Sequence, residues 1–259
     1  MTTIVRSVAF GRHGQSEQNL IKPEKQVVTH EQLSQFKSRD TGDHRLTDRG
    51  VREARALGEL LRTLNLQFDL LVTSSFVRAQ ETLLETGLSG AVEISPLLDE
   101  RFSGAHEPLL KSEVEEFYPT AEQDRKNKET RWRPENGESM RDVLTRVLLC
   151  MAHLNELTKG NGDIFIVAHS RVIASYMWWA EQLEDHEVPS AADASSGDKK
   201  IANGQVLQYG WAGESLRPTY KRSFVPGSPV DLQWVPLPPS SRFQVRDLRA
   251  MVDRYPRIL

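Results

Sequence analysis

Phe10-Gly11-Arg12-His13-Gly14-Gln15-Ser16-Glu17-Gln18-Asn19 sets a histidine between a cation and a glycine, directly after an apolar run. That run, Ile4 to Phe10, has the β-branched and aromatic bias of a strand that ends where the Arg12-His13 pair begins. Open α/β sheets bind their ligands at the carboxyl ends of strands, so a reactive pair at the end of a first strand predicts an α/β enzyme site.

Working outward, strand-like and helix-like segments alternate, as expected of helices covering a largely parallel sheet. Thr47-Asp48 starts a helix with apolar positions Val51, Ala54, Leu57, Leu61 and Leu64 at helical spacing. Residues 68–73 read as a buried strand, Ser74 and Ser75 as a turn or cap, and residues 76–85 as a helix with Arg78 in its first turn. A short strand follows at 92–94. Residues 139–158 form the firmest helix, with a stripe of Met140, Val143, Leu144, Val147, Leu148, Met151 and Leu154, a near capping box of Ser139 with Asp142, and Gly160 past its end. The continuous apolar run of residues 163–168 predicts a central strand buried on both faces, delivering His169-Ser170-Arg171 at its end. Residues 189–200 read as a surface loop before a last strand at 205–209 that rejoins the same sheet. Beyond Arg217 comes a Pro-rich extension ending in an amphipathic helix with Val245, Leu248, Met251 and Val252. The expectation is one domain over residues 1–259.

Composition excludes several classes. A formal net charge of −3 argues against a generally basic nucleic-acid surface and confines any phosphate affinity to a local pocket. The single cysteine, Cys150, allows neither an intrachain disulfide nor a cysteine metal cluster, and fits a cytoplasmic location. Neither a signal-type h-region nor a run of about 18 apolar residues occurs, so no membrane association is expected.

Arg12, His13, Arg78 and His169 sit at or near predicted strand ends, and Glu100 in a nearby connection. The chemistry that fits them is phosphoryl transfer. A neutral imidazole is a competent nucleophile near pH 7, and a hydrogen bond from its other ring N–H to a carbonyl would fix the tautomer. Two guanidinium groups can grip nonbridging phosphate oxygens and neutralise charge on the transferring group. Protonated His169 would add a third cationic donor. Glu100 could protonate the leaving oxygen and later activate water. Taken singly, each residue has a plainer reading as a surface turn, a helix-surface cation, a strand-end histidine or a loop carboxylate; their ordered set favours the chemical one. Trp178-Trp179 reads as core packing, and His30, His44, His106, His153 and His186 as surface or structural residues.

The chain resembles the histidine phosphatase (phosphoglycerate mutase-like) superfamily. Arg12-His13-Gly14-Gln15-Ser16 with Asn19 is similar to its Arg-His-Gly-x-Ser/Thr signature, and Leu46-Thr47-Asp48-Arg49-Gly50 to its Leu-Thr-x-x-Gly helix start. Ser75 to Thr82 resembles its Ser-x-x-x-Arg-Ala-x-x-Thr segment, Asp99-Glu100-Arg101 the segment bearing its acid; Gly137-Glu138-Ser139 and Val167-Ala168-His169 complete the order. The resemblance implies a three-layer α/β/α sandwich with a mostly parallel central sheet, no cofactor and no metal. It implies His13 as the phosphorylated nucleophile, Arg12, Arg78 and His169 as phosphate-holding groups, and Glu100 as proton donor. It also favours phosphate contacts for Ser16 and Asn19, each of which could instead cap local backbone.

Departures from the mutase pattern favour hydrolysis. Gln18 stands where mutases carry Trp, Ser170-Arg171 where they carry Gly-Asn, and Glu100-Arg101-Phe102-Ser103-Gly104 where they carry Glu-Arg-His-Tyr-Gly. Their adjacent arginine pair has only Arg131-Trp132-Arg133 as its nearest equivalent. A mutase must also exclude water while its phosphoenzyme waits. The leading expectation is therefore a phosphomonoesterase acting on a phosphorylated small molecule; a phosphoglycerate-type mutase is second, and a noncatalytic phosphate-binding or regulatory protein third. Ser170 and Arg171 are candidate substrate contacts, with Arg131 and Arg133 equally well read as surface cations. The segment between His13 and Leu46 reads as a lid or rim. Assembly, including a homodimer, is left open.

Overall fold

Ile164–Ala168 is buried at every position, the requirement for a strand covered on both faces. The computed structural model describes residues 6–20, 29–107, 109–188, 201–213 and 215–238. The expected loop at 189–200 and terminal helix at 245–252 lie outside them. Seven strands form one sheet: β1 (Arg6–Arg12), β2 (Leu70–Thr73), β3 (Val92–Ile94), β4 (Ile164–Ala168), β5 (Val206–Trp211), β6 (Tyr220–Phe224) and β7 (Val235–Pro236). Their spatial order is β3-β2-β4-β1-β5-β6-β7. The first four are parallel to one another, while β5, β6 and β7 add antiparallel.

Eight α-helices occur among the described residues: α1 (Glu17–Leu20), α2 (His30–Ser38), α3 (Asp48–Thr63), α4 (Val77–Glu85), α5 (Lys111–Phe117), α6 (Ala121–Lys128), α7 (Met140–Leu157) and α8 (Ser170–Glu181). Strand alternation sends Val8, Phe10, Val72, Ile164 and Ile166 to one face, where they meet Val143, Val147 and Leu154 of α7 and Val172, Ile173 and Tyr176 of α8. The intervening residues Ala9, Leu71, Phe165 and Val167 face Leu57 and Leu61 of α3 and Ala79 and Leu83 of α4. The architecture is the expected α/β/α sandwich. Its mixed sheet is parallel through the core strands and antiparallel beyond β1.

Three details differ from the sequence reading. Strand β1 runs through Arg12, which pairs with Ala168, so the strand ends inside the Arg-His pair rather than before it. On α7, Cys150 is fully buried, whereas Leu144, Leu148 and Met151 are half-buried, because the buried stripe follows 140, 143, 147, 150 and 154. After Arg217, the polar-looking Tyr220–Phe224 is a strand, with Arg222 opposite Gln208 on β5. The capping box of α7 is present: the Ser139 side chain accepts from Asp142 N–H at 3.2 Å, and Asp142 accepts from Ser139 N–H at 2.7 Å. Such a cap contributes about 1 kcal/mol.

The turn after β1 is fixed by contact between backbones. A Cβ on Gly14 would lie 2.4 Å from the Gly50 carbonyl oxygen, and one on Gly50 would lie 2.0 Å from the Gln15 carbonyl oxygen. Thr47, the N-cap of α3, donates its N–H to the Gln15 carbonyl at 2.9 Å. The first and second motifs are thus two sides of one junction. Gly50→Ala should destabilise the fold by about 3 kcal/mol, as overpacking against backbone does; urea unfolding that matches the wild type would contradict this close approach.

Candidate active site

Parallel pairing brings distant residues to one edge. The His13 N–H donates to the Ala168 carbonyl at 3.1 Å and the Ser74 N–H to the Val167 carbonyl at 3.2 Å, so the ends of β1, β2 and β4 open onto one place. There the structure gathers Arg12, His13, Arg78 and His169, all of them less than one-tenth exposed. The two imidazole rings lie 5.1 Å apart. The Arg78 guanidinium stacks over Phe76 at 4.7 Å, and Phe76 in turn meets the edge of His169 at 5.2 Å.

His13 is held as a nucleophile would be. Its Nδ1 lies 2.7 Å from the Gly14 carbonyl oxygen, which can only accept, so Nδ1 carries the proton and Nε2 the free lone pair. Gly14 itself is tied down, its N–H donating to Thr82 Oγ1 at 3.0 Å while Thr82 donates to the Arg78 carbonyl at 2.7 Å. Asn203 donates its side-chain N–H to the His13 carbonyl at 2.8 Å. Burial, then the charges of Arg78 and Arg12, hold the His13 pKa well below the ordinary value of 6.5, outweighing the Gly14 bond. His13 is therefore neutral at pH 7.

The arginines are oriented by backbone and left unfilled. Arg12 Nη1 donates to the Ile201 carbonyl at 2.5 Å, and Arg78 Nη1 to the Thr41 carbonyl at 2.7 Å. The Nε atoms of both, and Nδ1 of His169, are buried without a hydrogen-bond partner. Burial lowers the Arg12 pKa and pushes that of Arg78 down to about 10, with Glu100 opposing both effects. An anion of the size of phosphate would satisfy what this cluster lacks.

Glu100 stands half-buried on the rim. Its Oε1 accepts from the Arg101 N–H at 2.9 Å and its Oε2 from Ser170 Oγ at 3.3 Å. Ser170 opens α8, and the charge of half-buried Arg171 bears on both Arg12 and Arg101. Ser16 and Asn19 are beside the nucleophile but bound to one another: Asn19 Oδ1 accepts from the Ser16 N–H at 3.1 Å and Ser16 Oγ at 3.2 Å. Arg133 is exposed and paired with Asp142, and Arg131 is exposed, so both take the surface reading. No group of three or more His, Cys, Asp or Glu able to hold a metal ion occurs among the described residues.

Several residues here carried no role in the sequence reading. Arg101 is buried, stacks over Trp132, and has its pKa lowered to about 9 by burial and the nearby Arg171 charge. Its place beside Glu100 was the available signal. Asn203 precedes β5 and nothing in its sequence surroundings marks it. Ser74 was legible only as a turn or cap residue, and Asp99 only as a neighbour of Glu100 in the segment bearing the acid.

The fold and site together define an α/β protein with a buried cluster of arginines and histidines at the carboxyl edge of its parallel strands. A profile of the histidine phosphatase superfamily (branch 1) matches residues 8–193. The chain belongs to this superfamily. It is 32% identical over 215 residues to a 2,3-bisphosphoglycerate-dependent phosphoglycerate mutase of Methylobacterium radiotolerans, covering 79% of this chain and 89% of that one. With the enzyme of the same name from Azorhizobium caulinodans, identity is 36% over 213 residues, covering 79% and 91%. Among solved structures, the α-ribazole phosphatase of Shigella flexneri superposes with a TM-score of 0.64 at 20% identity, covering 88% of this chain and 99% of that one. A mycobacterial glucosyl-3-phosphoglycerate phosphatase gives 0.60 at 26% identity, covering 85% and 98%.

Two outcomes follow from the geometry. Arg78→Lys, which exchanges a planar fork for a point charge, should lower kcat/KM about 10²- to 10³-fold toward a phosphate monoester with the fold intact; an unchanged rate would remove Arg78 from the cradle. Because His13 is neutral when folded and has a lowered pKa, the unfolded chain binds the extra proton below pH 6.5, and stability is lost as pH falls through that range. Between pH 7.5 and 5, the wild type should lose more melting temperature than His13→Asn, and equal losses would contradict a buried neutral His13.

Proposed function

We propose that the protein is a phosphomonoesterase that hydrolyses a phosphorylated small molecule through a phosphohistidine at His13. The observation that carries the reading is the fixed His13 tautomer, with its Nε2 lone pair free inside a buried cationic cradle. Arg12, Arg78 and His169 bind the nonbridging oxygens, Nε2 attacks phosphorus, and the bond to the leaving oxygen breaks as Glu100 supplies its proton. In the second step the Glu100 carboxylate takes a proton from water as that water attacks phosphorus and the P–N bond breaks, restoring both residues. Ser170 orients Glu100, and Arg171 with Arg101 offers positive charge to a second anionic group of the substrate. Ser16 and Asn19 serve mainly to brace the turn after the nucleophile.

A phosphoglycerate-type mutase is the second reading, favoured by the names of the relatives above 30% identity. In that case the phosphoryl group on His13 returns to another hydroxyl instead of to water. Against it stand Gln18 and Ser170-Arg171 at positions where mutases carry other residues, and the loss of Arg133 to Asp142.

Without added metal, p-nitrophenyl phosphate should be turned over and leave acid-labile phosphate on His13, while His13→Ala should lose about 10³-fold or more. A folded wild type with neither turnover nor phosphohistidine would overturn an enzymatic role. With 3-phosphoglycerate and a bisphosphoglycerate primer, release of inorganic phosphate is expected; rapid formation of 2-phosphoglycerate without it would establish the mutase instead.

A further inference from the structure

His169 is wired at its back to a carboxylate. Its Nε2 lies 2.8 Å from Ser74 Oγ, which donates to Asp99 Oδ1 at 2.8 Å and accepts from the Phe76 N–H at 3.0 Å. Asp99 is held in turn by the Ser75 N–H at 2.8 Å and Ser75 Oγ at 2.6 Å. The Ser74 hydroxyl has one proton and two lone pairs. The proton goes to Asp99 and one lone pair to Phe76, so the other lone pair must receive the Nε2 proton of His169. In the neutral ring the lone pair then sits on Nδ1, the buried atom that has no partner. A lone pair repels a phosphoryl oxygen; only a proton on Nδ1 converts that atom into a donor.

We propose that Asp99, acting through Ser74, is a positioning residue that fixes the Nε2–H tautomer of His169 and stabilises its imidazolium when a phosphoryl dianion enters. The step adds one proton, from solvent or from a monoanionic phosphate, to Nδ1, and no other bond changes. The proposal rests on the phosphoryl-transfer reading above. The groups acting on His169 are Arg78 from α4, Arg12 from β1 and His13 just after it, Arg146 from α7, and Asp99 with Ser74 beneath it. Burial and the arginine charges favour the neutral ring. The relay to Asp99 and the arriving dianion oppose them, which couples protonation to occupancy.

The test is ¹⁵N-histidine NMR of the wild type, Asp99→Asn and Ser74→Ala, with and without saturating inorganic phosphate, beside their kcat–pH profiles. Asp99→Asn keeps Oδ1 as the acceptor for Ser74 and removes the charge, while the Ser75 hydroxyl, which donated to Oδ2, turns to accept from the new amide. In the free wild type, His169 should show the Nε2–H tautomer, and phosphate should protonate Nδ1 at neutral pH. Both variants should lower the midpoint of that protonation by a unit or more, shift the alkaline limb of kcat to lower pH and reduce kcat about 10²-fold, with the double variant no worse than either single one. An Nδ1–H tautomer in the wild type, or midpoints unchanged in the variants, would overturn the wiring, and the wild-type tautomer decides even if a variant fails to fold. A wild type that forms phosphohistidine while both variants behave normally sinks this inference alone. Absence of phosphohistidine sinks the functional reading, and the free-enzyme tautomer still tests the relay.

Discussion

Burying positive charge without its partner is the constraint on which this structure turns. Arg12 and Arg78 bring two permanent cations into a space where His13 and His169 are also almost wholly enclosed. An unpaired cation in such surroundings is costly, and the protein offsets part of that cost with Glu100 at the rim and with the carbonyls of Thr41 and Ile201. The remainder is carried as the unsatisfied Nε atoms of the two arginines. Burial, with the charges of those arginines added to it, keeps both imidazoles neutral. One arrangement therefore supplies two things a phosphoryl acceptor needs, an unprotonated nucleophile and donors whose orientation is set before the anion arrives.

That arrangement survives because rigid backbone holds it. The turn after β1 is pinned on one side by the β4 carbonyls, on another by Thr82 and on a third by the α3 start at Gly50. Each pin contributes a modest hydrogen bond or contact, but together they leave His13 and Gly14 little freedom to relax away from the charges. The core clusters on the two faces of the sheet supply the stability from which this local cost is drawn.

The sequence made the parallel half of the fold legible because its strands are apolar on both faces and its helices carry clear stripes and caps, as in α3 and α7. It hid β6, whose Lys221-Arg222-Ser223 centre has the composition of a loop; pairing with β5, not intrinsic preference, makes it a strand. At the site, Arg12, His13, Arg78 and His169 were readable since motif order fixes which strand end each occupies. Asn203, Ser74 and Asp99 were not readable in that way. Their roles come from hydrogen bonds across 25 to 190 residues of chain, which no local pattern encodes.

Chemistry and selectivity are separated in this molecule. The buried cradle is common to hydrolysis and to phosphoryl return, so similarity concentrated there bears on both reactions alike. The rim is assembled differently, from α2 with the segment after it and from the stretch between β3 and α7. Lys37 pairs with Glu113, Thr41 donates to Glu107, and the Thr41 carbonyl meets Arg78, so two chain segments outside the sheet are joined directly over a buried cation. These contacts are one place where the exposed surface reaches Arg78, and on the reading proposed above they can govern water at phosphorus. A mutase would need this rim to stay closed over a waiting phosphoenzyme, whereas a hydrolase needs it to admit one water beside Glu100. On the phosphoryl-transfer reading proposed above, the choice of acceptor falls to these rim contacts, while the histidine and arginines beneath them serve either reaction alike.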